Sequence, residues 1–94
     1  MGQLFDQIVA AAAADRVGFS DHADEMLRER KVEAWQATYG LAHGRLILER
    51  PADKPNPVAE VEQSLADGTP VKAVWGYQRS RNVALLITLH FFDR

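Results

Sequence analysis

The apolar residues of this 94-residue chain change period near its middle, from helical spacing to strict alternation. A chain built that way is neither all helix nor all sheet. Leu4, Ile8 and Ala11 fall on one helical face, with Phe5, Val9 and Ala12 beside them and alanines between. Gly18 reads as a stop. Ser20 or Asp21 is a good N-cap for a second helix of roughly ten residues, whose stripe is Ala23, Met26 and Leu27, with Arg30 next in the series. Val32–Tyr39 predicts a short third helix, with Trp35 and Tyr39 one turn apart and Gly40 closing it.

From Gly44 the pattern is that of strands. Arg45–Arg50 holds Leu46, Ile47 and Leu48 and stops at Pro51, and Ala52–Pro57 has the composition of a loop. Val58–Leu65 has helix-forming residues, yet Ala59, Val61 and Leu65 share one strand face while Glu60, Glu62 and Ser64 share the other. The Asp67-Gly68 pair that follows is a hairpin signal and favours the strand. In Val71–Gln78 the residues Val71, Ala73, Trp75 and Tyr77 alternate onto one face, and Arg79–Asn82 reads as a turn. Val83–Phe92 is the strongest strand. Simple alternation places Val83, Leu85, Ile87, Leu89 and Phe91 on one face and Ala84, Leu86, Thr88, His90 and Phe92 on the other. Apolar on both faces over its first half, it reads as a central strand. The expectation is a single α+β domain over residues 1–94, with two or three N-terminal helices on one face of a four-stranded antiparallel sheet. Leu85, Ile87, Leu89, Trp75 and Leu27 are expected in its core.

Composition removes whole classes of function. With no cysteine there is no disulfide framework, thiolate zinc site or cysteine nucleophile. Eleven Lys and Arg against thirteen Asp and Glu give a net charge of −2, the opposite of a strongly basic nucleic-acid footprint. The apolar stretch Ile8–Ala14 is alanine-rich, far short of the roughly 20 residues of a membrane span, and follows no cationic segment. A cytoplasmic chain without membrane contact is the expectation.

Chemistry has few places to reside. The sequence has no glycine-rich phosphate loop, G-x-S-x-G elbow or H-E-x-x-H motif. His22, His43 and His90 share no ligand spacing, so neither a metal site nor a cofactor is expected. His22 falls in the first turn of the second helix, where the macrodipole disfavours a positive imidazole and suits a neutral one for general-base work. The plainer reading is a histidine hydrogen-bonded near a helix start. Arg30 ends an apolar stripe, which suits a guanidinium delivered to a carboxylate or phosphate; the plainer reading pairs it with Glu33 or a carbonyl. Thr88 and His90 lie on the more open face of the last strand, with Lys72 on a neighbouring strand and Glu60 and Glu62 further out. Such a set suits acid–base work on an RNA 2′-hydroxyl, and equally the wet side of a half-exposed sheet.

The segment Phe19-Ser20-x-His22-Ala23-x-x-Met26-Leu27-x-x-Arg30-x-Val32 resembles the opening F-S-x-H-A-x-x-R-M-x-x-R-x-I of a small family of bacterial domains of unknown function. The resemblance runs on through Asp53-Lys54-Pro55-x-Pro57, Gly68-Thr69-Pro70 and the final Ile87-Thr88-Leu89-x-Phe91, from about Val17 to Asp93. It implies the RelE/ParE-like toxin superfamily, with helices packed on a curved antiparallel sheet, many members cutting messenger RNA without a metal and others poisoning DNA gyrase. It maps the family's histidine onto His22, its arginine onto Arg30 and its last-strand hydroxyl onto Thr88. Met26 stands where the pattern has its first arginine. Residues 18–93 are then the RelE/ParE-like domain and the helix within residues 1–17 a local addition.

Three readings follow. The first is a metal-independent ribonuclease toxin of a toxin–antitoxin pair. In it His22 or His90 moves the proton, Arg30, Lys72 and Arg50 hold phosphate, and Thr88 orients the RNA. The partner of such a toxin is an antitoxin; the second reading is a non-catalytic module on the same fold that docks another protein, with the alanine-rich first helix as a candidate surface, and the third a gyrase-directed toxin.

Overall fold

A computed structural model describes residues 2–92. Its elements run α1 (Gln3–Ala13), β1 (Val17–Phe19), α2 (Asp21–Arg30), α3 (Ala34–Ala42), β2 (Arg45–Arg50), β3 (Val58–Ser64), β4 (Pro70–Gln78) and β5 (Val83–Phe91). The α+β class and the three helices match the sequence reading, but the order is not helices and then strands, because β1 lies between α1 and α2. The sheet differs as well: it has five strands in the order β1-β5-β4-β3-β2, with β1 parallel to β5 and the rest antiparallel. A three-residue strand is too short to show alternation, and β1 exists because β5 offers it an edge. The Ala84 N–H donates to the Arg16 carbonyl and the Ser20 N–H to the Leu86 carbonyl, each at 3.0 Å.

Each helix is set by its ends and its buried stripe. The Ser20 side chain caps α2 by accepting from the Ala23 N–H at 3.0 Å. Asp21 and Asp24 in the first turn and Arg28 and Arg30 in the last complement the helix dipole, and Lys31 closes the helix in the left-handed region at φ 57°. Gly2 gives α1 no side-chain cap. Glu49 of β2 supplies one instead, its Oε2 accepting from the Phe5 N–H at 2.8 Å. The third helix runs through Gly40 rather than stopping there. A Cβ at that position would lie 3.0 Å from the Ser64 carbonyl oxygen, so Gly40 lets α3 lie close against β3.

One layer of core joins the helices to the sheet. Leu4, Ile8, Ala11 and Ala12 of α1, Ala23 and Leu27 of α2 and Ala37 and Leu41 of α3 pack on Ala59 and Val61, on Val71, Ala73, Trp75 and Tyr77, and on Ala84, Leu86 and Leu89. Within it Gln63 bridges two elements, its Nε2 donating to the Ala37 carbonyl at 2.9 Å while its Oε1 accepts from Trp75 Nε1 at 2.8 Å. Both the amide and the indole N–H are thereby satisfied where water cannot reach.

The last strand corrects the expected alternation. Val74 pairs with Thr88 but Trp75 pairs with Leu86, so Ile87 is the extra residue of a β-bulge. The bulge advances the phase by one residue. Ala84, Leu86 and Leu89 face the helices, whereas Leu85 and Ile87, expected in the core, lie on the other face and are only half-buried.

Candidate active site on the open face of the sheet

The cross-strand register lays out the sheet face turned away from the helices as rows of side chains. One row reads Leu48, Glu60, Val74, Thr88, and the next Arg45, Glu62, Lys72, His90. Beyond the first row, Arg50 stands opposite Val58, and Val58 opposite Gly76. Directly opposed side chains on adjacent strands are near enough to interact, and diagonal ones are within reach when long. Lys72 and His90, Thr88 and Arg50 therefore share one surface, four of the six residues singled out in the sequence.

Ionic contacts knit this face together. The Glu60 carboxylate accepts from Arg50 Nη1 and sits 3.4 Å from Lys72 Nζ. Arg50 also donates from Nε to Asp53 Oδ2 at 2.7 Å, and Arg45 pairs with Glu62. The Glu60 side chain is only 14% exposed. Its carboxyl is held below the usual glutamate range, chiefly by the Arg50 hydrogen bond and then by Lys72, against the opposing effect of burial. Arg50 is held above its ordinary value, by Asp53 first and Glu60 second. Cations and carboxylates balance here, so the face is polar without being strongly positive.

On β5, at the end of the row that holds Glu60, lies an unused hydrogen-bonding group. Thr88 Oγ1 is buried and has no partner among the described residues. Leaving a hydroxyl in that condition costs about 1–3 kcal/mol. Glu60 lies in its row across Val74, and Lys72 and His90 form the next row.

The other two candidates stand apart from this constellation. His22 is exposed on the first turn of α2 and makes no hydrogen bond to Thr88, His90 or Lys72. Its turn is nonetheless anchored beside them, because Ser20 Oγ donates to the Ile87 carbonyl at 2.8 Å, the residue before Thr88. Arg30 lies at the far end of α2 with its guanidinium carbon 4.2 Å from the centre of the Phe91 ring, a cation–π contact. It lines a separate cleft of about 520 Å³ with Phe91, Phe92 and Thr69. The sequence reading noted Glu60 only as an outlying carboxylate and gave Asp53 no role. The alternation of β3 placed Glu60 correctly, but no local signal linked the Asp53 loop to Arg50. Among the described residues no group of three or more His, Asp or Glu side chains is arranged to hold a metal ion, and no helix is long and apolar enough to cross a membrane.

This α+β domain, with its polar open sheet face, matches the family model of a domain of unknown function, DUF4258, over residues 19–90. The chain belongs to that family. Neither the curated proteins nor the solved structures give a match. The matched segment begins at the last residue of β1 and includes α2, α3, the three strands β2 to β4 and nearly all of β5.

Proposed function

We propose that the chain is a metal-independent endoribonuclease of RelE/ParE-like type, working on the open face of its sheet as the toxin of a toxin–antitoxin pair. One observation carries the reading: an ionised Glu60, held by Arg50 and Lys72, shares a sheet face with His90 and with the buried, unpartnered Thr88 hydroxyl. Those are the parts that transesterification of RNA requires. Glu60 takes the proton of a ribose 2′-hydroxyl, and the 2′-oxygen attacks the adjacent phosphorus. His90, as imidazolium, gives a proton to the departing 5′-oxygen. The products are a 2′,3′-cyclic phosphate and a free 5′-hydroxyl, and no water is consumed.

The ion pairs add a switch in base strength. A carboxylate tied to two cations is ionised but weakly basic. An incoming phosphodiester competes for Arg50 and Lys72, and as they turn to it Glu60 is freed and its basicity rises. Thr88 gains the partner it lacks only when the same movement uncovers its enclosed hydroxyl. His22 is not part of this step; on its exposed turn beside β5 it is suited to contacting the strand rather than transferring the proton.

The test is cleavage of a defined RNA by purified protein, alone and with ribosomes. His90→Ala and Glu60→Gln should each lower the rate by roughly 100-fold or more without loss of folded structure, and His22→Ala by much less. An inactive wild type, or an active His90→Ala, removes the reading. A protein-docking role has its own support in the edge strand β2. Ile47 and Leu48 there are 44% and 48% exposed beside an unpaired strand edge, which suits an added strand from a partner.

A further inference from the structure

Helix α3 carries Trp35 and Tyr39 one turn apart, and His43, its C-cap residue, follows four positions on. Trp35 and Tyr39 are 55% and 64% exposed, so the core does not account for them. The rings are nevertheless held. Trp35 Nε1 donates to Glu33 Oε1 at 2.9 Å, and the His43 ring leans on Tyr39 with their centres 4.7 Å apart. Between this ladder and the end of β3 lies a groove of about 560 Å³, a size typical of small-molecule sites, with the Arg45–Glu62 pair among its lining residues.

The groove joins the open face. Glu62 pairs across the sheet with Lys72, and Lys72 with His90, so the row that ends at His90 begins at the groove. We infer that this groove seats a nucleobase of the RNA strand that flanks the cleaved bond, stacked on Tyr39 and Trp35, with Arg45 beside the sugar–phosphate chain. The inference rests on the ribonuclease reading above and deepens it. It also answers a difficulty of charge. A chain of net charge −2 gains little from bulk attraction to a polyanion. Stacking on neutral rings needs no positive charge and takes any base, because every base has a π-face. Binding should therefore respond weakly to salt and strongly to loss of a ring.

The experiment uses the full chain and a short 2′-O-methyl oligoribonucleotide, which cannot be cleaved, read by fluorescence anisotropy at several salt concentrations. Tyr39→Ala and Trp35→Ala should each weaken binding about tenfold, and Tyr39→Phe should retain it. With a cleavable RNA, the ring variants should raise KM and leave kcat nearly unchanged. If the wild type cuts RNA while both alanine variants keep its Kd and KM, the groove assignment falls and the ribonuclease reading stands. If the wild type neither binds the oligonucleotide nor cuts RNA, both fall. Both rings are exposed, so folding of the variants, checked by circular dichroism, should be unaffected.

Discussion

Ser20 and Ile87 are joined by a hydrogen bond of 2.8 Å that ties the start of α2 to the bulge of β5. The same hydroxyl accepts from the Ala23 N–H, so one oxygen both caps the helix and fastens it to the strand that carries Thr88 and His90. These two roles are separable. Ser20→Thr keeps both. Ser20→Asp keeps the cap but has no proton for the Ile87 carbonyl. Ser20→Ala loses both and should cost about 1–2 kcal/mol, measured as a lower urea midpoint at unchanged slope. If the strand attachment positions the site, Ser20→Asp should cleave RNA more slowly than Ser20→Thr although aspartate caps a helix at least as well as threonine. Equal rates would confine Ser20 to the helix.

The Glu60 contacts predict an acid limb. Its carboxyl pKa is lower folded than unfolded, so its stabilising contribution is complete above the ordinary glutamate value of about 4.3 and is lost as pH falls through the lower folded value. Glu60→Gln should flatten that part of the stability–pH curve while leaving the curve near neutrality parallel to the wild type. The check is a set of urea midpoints between acid and neutral pH. A wild-type curve that is already flat there would refute the pairing with Arg50 and Lys72 in solution.

Thr88 should show a conflict between stability and activity. Exchanging its unpartnered hydroxyl for a methyl removes a buried polar atom without changing the shape. Thr88→Val should therefore be neutral or stabilising by up to about 1 kcal/mol, and it should slow RNA cleavage. A destabilised Thr88→Val would mean that the hydroxyl has a partner, such as an ordered water, and would return it to a structural role.

What the sequence disclosed depended on the length of each signal. The β4 alternation of Val71, Ala73, Trp75 and Tyr77 runs over a long strand packed on one side, and all four are buried as read. The β1 strand was invisible because three residues carry no period and its stability lies in the partner. The faces of β5 were misread from Leu85 and Ile87 because a bulge is a two-strand event. Nothing in Leu85-Leu86-Ile87-Thr88 says that the neighbouring strand will skip one of them. Thr88 and His90 were still placed on the open face with Lys72, because they follow the bulge and stay in phase with each other. The Arg50–Asp53 contact depends on how the loop after β2 folds back, and no periodicity encodes that.

The Glu49 cap on α1 bears on how this chain could have acquired or lost parts. Residues 2–13 precede the family-matched segment, yet Leu4, Ile8 and Ala11 lie in the same core as Trp75, and Glu49 of the far edge strand holds the helix at its start. A shortened chain beginning at Val17 would uncover the inner side of β4 and β5 and leave the Glu49 carboxylate without its Phe5 N–H partner. The first helix is thus a roof over Trp75, and a domain cut back to the matched segment would need other cover for that ring.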